Sequence, residues 1–214
     1  MTYEKPIKIC LYGYTGVGCN QLSRVATGLK FDGDLPCVLN WSHVNKEFII
    51  NERKYIANIW NGPGQERFKS LSKLYLKNAN IIILVYDITK RESFYELNYL
   101  LNIIRDLCDN YIGAIVGNKS DLYMDEVVPE EEAREFAKRI GFKFALVSAK
   151  NDKNGFIEFL ERLVKDFLEA NNDIIKLIEK ERQQEIEEEK KRMIIDRKSL
   201  IINYKLNLLK YFNK

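Results

Sequence analysis

Three short segments carry the side chains best suited to chemistry in this chain of 214 residues. The first is Gly13-Tyr14-Thr15-Gly16-Val17-Gly18-Cys19-Asn20, which follows the apolar run 7–12 and precedes a helical pattern. A glycine-rich turn in that place can aim its backbone N–H groups at a phosphate, and the helix N-terminus adds to the field. An ordinary turn fits these residues equally well, because the Lys and Ser/Thr that usually complete a phosphate loop are replaced by Cys19 and Asn20. The second segment, Asn118-Lys119-Ser120-Asp121, and the third, Ser148-Ala149-Lys150, each close an apolar run. Read singly, each is a polar strand-to-loop turn.

The elements that must position these segments follow from hydrophobic patterning. Continuous apolar runs at 81–86 and 114–117 predict central strands buried on both faces, and 144–147 predicts a shorter one. Runs at 47–50 and 54–60, separated by Asn51-Glu52-Arg53, predict a hairpin. Helical patterns at 20–27, 91–108, 130–140 and 154–170 lie between the runs. Strands alternating with helices predict a doubly wound α/β sheet with ligands at the carboxyl ends of its strands.

Taken together and in order, the motifs resemble those of Ras-like small GTPases. Trp60-Asn61-Gly62-Pro63-Gly64-Gln65-Glu66-Arg67-Phe68 is similar to their switch II, the second segment to their guanine-recognition motif and the third to their other base-contacting motif. Tyr86-Asp87-Ile88-Thr89 and Glu92-Ser93-Phe94 look like segments of the Rab branch. The resemblance spans roughly 6–170 and implies a P-loop small GTPase fold, with a mostly parallel six-stranded sheet and helices on both faces. It implies GDP or GTP as ligand, with Gly13, Gly16, Val17, Gly18, Cys19, Asn20 and Gly64 at the phosphates. Asn118, Lys119, Asp121, Ser148, Ala149 and Lys150 would serve the base, the Asp121 carboxylate accepting from the guanine N1–H and amine. Asn118 would also brace the phosphate loop, and the Lys119 stem would pack on the ring.

The phosphate half departs from that pattern at four positions. Cys19 replaces the family's phosphate-binding Lys, and Asn20 its magnesium-binding Ser/Thr. Val38 stands for the switch I Thr, and Asn61 for the switch II Asp. Mg²⁺ prefers hard, anionic oxygens in a near-ideal octahedron, so no metal ligand is expected among these residues. Loss of the Lys alone predicts phosphate binding weaker by roughly 10–100-fold. Gln65 keeps the water-positioning place, yet without the cations it has little to act on. Its alternative use is in a switch II surface with Phe68, Leu71 and Tyr75 that grips effectors or regulators.

Composition bounds the rest. Residues 1–170 carry 23 basic and 23 acidic side chains, which disfavours nucleic acid as a partner. Residues 171–189 carry three basic and seven acidic, and 190–214 eight basic and one acidic. The chain is therefore expected to divide into a GTPase-like domain, 1–170, and a charged, amphipathic helical extension, 171–214. Helix 190–214 either folds back or frays, or lays a basic face on an anionic membrane or a partner helix. No cysteine follows Cys108 and no glycine follows Met1, so neither a prenyl nor a myristoyl anchor is expected. Cys10, Cys19, Cys37 and Cys108 show no metal spacing and read as reduced thiols of a cytoplasmic protein, which could sit peripherally on endomembranes.

Three functions remain open at this point. One is a Rab-like pseudo-GTPase scaffold of vesicle traffic with weak or absent Mg-dependent hydrolysis. The second is a working switch with unusual phosphate and metal handling. The third is a nucleotide-free adaptor acting through switch II and the basic tail.

Overall fold

Strand β4 (Ile81–Asp87) is the axis of the molecule: seven consecutive residues, all buried, with Ile, Leu and Val presented to both faces. In the computed structural model, which describes residues 6–34, 41–62, 75–171 and several helical positions between 180 and 197, β4 sits inside a six-stranded sheet. The other strands are β1 (Ile7–Gly13), β2 (Ser42–Ile50), β3 (Arg53–Asn61), β5 (Ile112–Asn118) and β6 (Lys143–Leu146). Their order is β2-β3-β1-β4-β5-β6, with β2 antiparallel to β3 and every other pair parallel. This is the mostly parallel α/β sheet that the apolar runs predict.

The helices are α1 (Cys19–Ala26), α2 (Arg91–Leu107), α3 (Glu130–Ile140) and α4 (Lys153–Ala170). Cys10, Tyr12, Ile82, Leu84 and Tyr86 face Phe94, Leu97 and Leu101 of α2 and Phe136 of α3 in one apolar cluster. Alternation turns Ile9, Leu11, Ile81, Ile83 and Val85 to the opposite face, where they are equally buried. Helix α3 shows why its sequence forms a helix there. Pro129 precedes it, Glu130, Glu131 and Glu132 fill its first turn, and Lys138 and Arg139 its last, matching the helix dipole at both ends.

The hairpin is tighter and longer than the sequence predicts. Ile50 pairs with Arg53, so only Asn51 and Glu52 form the turn, both at positive φ (50° and 63°) as in the twisted two-residue turns of antiparallel pairs. β2 begins at Ser42, five residues before the expected start, because exposed Ser42, His43, Asn45 and Glu47 belong to an edge strand. A short 3₁₀ helix, Ser120–Asp125, follows β5 and has no counterpart in the sequence reading. The chain forms two compact units, Met1–Phe167 and Leu168–Lys214. The residues at 190–214 assigned to membrane contact lie mostly outside the described residues. Ile186–Ile195 are helical and exposed.

Candidate functional site

The carboxyl ends of four parallel strands open onto one rim. β1 runs into the glycine-rich turn, β3 ends on Asn61, β4 on Asp87 and β5 on Asn118. Pairing sets Gly13 opposite Val85 and Asp87 opposite Asn118, so loops distant in sequence share one place.

Asn118 is the hinge pin of this rim. Its Nδ2 donates to the Val17 carbonyl at 2.8 Å, and its Oδ1 accepts from the Ala149 N–H at 3.2 Å. It thereby ties the first segment to the third, as the brace expected of it. Gly18, at φ 100°, leaves room for that amide, since a Cβ there would meet Nδ2 at 2.3 Å. Ser148 holds the neighbouring corner: its hydroxyl donates to Asp121 Oδ1 and accepts from the N–H groups of Lys150 (3.2 Å) and Asn151 (2.9 Å). Asp121, Asn118, Ser148 and Ala149 are thus brought together.

Lys119 makes an ion pair at the rim. Its ammonium lies 2.6 Å from Asp87 Oδ2, and Asp87 is fully buried. The other Asp87 oxygen accepts from the Thr89 N–H (3.0 Å) and hydroxyl (2.7 Å). Asp87 is a site residue that sequence reasoning missed. The signal was present in Asp87-Ile88-Thr89, a carboxylate followed two positions later by a donor at the end of a buried strand.

At the other end of the rim the chemistry is neutral. Cys19 opens α1 and is buried, and that burial pushes its thiol up to about 12. It carries no charge at neutral pH. Asn20 Oδ1 accepts from Asn61 Nδ2 at 3.2 Å, and Asn61 Oδ1 accepts from the Ser42 hydroxyl at 3.0 Å. One line of amides therefore links the start of α1, the end of β3 and the start of β2. Asn61 is 1% exposed, so its oxygen has no second allegiance to water. Neither asparagine brings the anionic oxygen that Mg²⁺ prefers. Among the described residues no group of three or more His, Cys, Asp or Glu is placed to hold a metal ion.

Val38, Gly64, Gln65, Phe68 and Leu71 lie outside the described residues. Tyr75 is half-buried and stacks on Trp41, with ring centroids 5.0 Å apart, and tilts against Trp60 at 5.7 Å. His43 stacks on Trp60 at 4.4 Å. Tyr75 is thus part of an aromatic row beside the strand ends.

A strand–glycine turn–helix is thus joined through the asparagine that ends β5 to the loop that follows β6. The model of the Ras family matches residues 8–169. The chain belongs to the Ras family. Its relatives include Ras-related protein Rab-31 of Homo sapiens, 34% identical over 151 residues that cover 70% of this chain and 77% of the relative. Ras-related protein Rab-21 of Geodia cydonium is 36% identical over 165 residues, 77% of this chain and 72% of the relative. Ras-related protein Rab-2B of Dictyostelium discoideum is 31% identical over 179 residues, 81% and 88% of the two chains. Membership of the Ras family implies a guanine nucleotide as ligand. Among the described residues no helix of this Ras-family chain is long and apolar enough to cross a membrane.

Proposed function

We propose that this chain is a Rab-type guanine-nucleotide-binding protein of vesicle traffic that acts as a scaffold, with weak or absent Mg-dependent GTP hydrolysis. The observation that carries this reading is the Ser42–Asn61–Asn20 line, which spends on itself the side chains at the family's metal positions. Buried, uncharged Cys19 supports it from the phosphate side. The guanine would be read by Asp121 and the Ala149 N–H, with Asn118 keeping the loops in register. Gly13, Gly16, Val17, Gly18 and Gly64 would approach the phosphates. Effectors or regulators of Rab type would meet the surface around Phe68, Leu71 and Tyr75, and residues 190–214 would touch an endomembrane from the cytoplasmic side.

The test is the nucleotide content of freshly purified protein, followed by calorimetric titration of GDP and GTP with and without Mg²⁺. The expected result is binding that does not respond to Mg²⁺ and GTP turnover at or below a Cys19→Ala control. Tight, stoichiometric GDP that is lost on chelation would overturn the reading in favour of a working switch. No guanine binding at all would favour the adaptor.

A further inference from the structure

The glycine-rich turn holds no cationic side chain from Gly13 to Asn20, yet any phosphate it takes brings negative charge to the rim. We infer that Lys90, from the loop between β4 and α2, supplies the missing cation and binds the phosphates of a guanine nucleotide. This rests on the reading of the rim as a guanine-nucleotide site.

Four observations carry it. The Lys90 ammonium is the nearest heavy atom to the empty side-chain position of Gly16, 3.9 Å from where a Cβ would stand. It therefore lies against the middle of the glycine-rich turn. Gly16 is at φ 82°, a conformation that favours glycine, and the bare backbone there leaves the approach of the ammonium open. The root of Lys90 is fixed: its N–H donates to the Asp87 carbonyl at 3.0 Å, and its carbonyl accepts from the N–H (3.1 Å) and hydroxyl (2.7 Å) of fully buried Ser93. Finally, the competing cation is spent, because Lys119 is held on the Asp87 carboxylate at 2.6 Å. Among the described residues no carboxylate forms an ion pair with Lys90.

The substitution is one of direction. In the family pattern the ammonium rises from the start of α1; here it reaches across from the next strand's loop, which the Gly13–Val85 pairing holds alongside. An ammonium is a compact charge with three rotatable donors, so phosphate recognition does not require the original angle. Lys90 is exposed and screened, which puts its effect at the low end for a charge-assisted hydrogen bond, about tenfold in affinity.

The experiment titrates the full chain with guanosine and with GDP, in chelator, at low and high salt. Lys90→Gln, Lys90→Arg and the distant charge control Lys138→Gln are compared with wild type. GDP is expected to bind wild type more tightly than guanosine does. Lys90→Gln should lose about tenfold for GDP with guanosine unchanged and the salt dependence reduced, while Lys90→Arg and Lys138→Gln stay near wild type. GDP affinity of Lys90→Gln within twofold of wild type overturns the assignment. So does guanosine binding as tightly as GDP to wild type, an outcome that leaves the base site standing. Failure of both ligands to bind wild type overturns the site reading itself and the assignment with it.

Discussion

A single buried amide does more to hold the rim together than any charge there. Asn118 makes two hydrogen bonds to backbone groups of different loops, 2.8 Å to Val17 and 3.2 Å to Ala149. Asn118→Ala leaves a buried carbonyl and a buried N–H without partners and should cost about 2–4 kcal/mol, read by denaturant unfolding of nucleotide-free protein. Two buried thiols make a second prediction. Burial pushes Cys10 and Cys19 from 9.0 up to about 12. Above pH 9 the unfolded chain releases these protons and the folded one retains them, so the unfolded state holds fewer protons and stability falls as pH rises. Each thiol should contribute a loss of about 1 kcal/mol per pH unit between 9 and 12. The buried phenol of Tyr86, raised for the same reason, pushes in the same direction. Guanidinium unfolding at pH 8 and 10 checks the slope, and Cys19→Ala should make it shallower.

At the scale of elements, the junction of β1 with the glycine-rich turn is the tightest point. A Cβ on Gly13 would stand 2.3 Å from the Val85 carbonyl oxygen and 2.8 Å from a Val17 methyl. Neither backbone can yield without parting β1 from β4, so Gly13→Ala should destabilise by about 2 kcal/mol or more, seen as a lowered Tm. The central strands were readable in sequence because 81–86 and 114–117 are apolar on both faces. The first half of β2 was not, since its side chains are polar and exposed, and an edge strand with one wet face gives little period to read. The segments 118–121 and 148–150, which meet at the rim, were readable from their order along the chain. The partners that complete the rim were not: Asn61 meets Asn20 across 41 positions, and Lys119 meets Asp87 through the pairing of β4 with β5. Such contacts are set by strand order, which local spacing does not encode.

At the scale of the whole molecule, the buried apolar residues among those described all fall between Ile7 and Val164. Removing 171–214 should therefore leave a cooperatively folding domain with a Tm within about 3 °C of the full chain, by calorimetry. If the basic segment 190–214 meets membranes, the same truncation should abolish co-sedimentation with vesicles rich in anionic lipid, and high salt should do so in the intact chain. The amide line from Ser42 through Asn61 to Asn20 bears on how such a protein would be governed. A molecular clock needs a part that stands differently before and after the tick; a ligand that favours neither arrangement shifts nothing, however tightly it is held. If the chain is the scaffold proposed, strand and helix ends already fastened to each other by uncharged groups would leave a departing phosphate little to release. Its message would then be constant in time, and a cell would adjust it by how many copies it makes and where it keeps them.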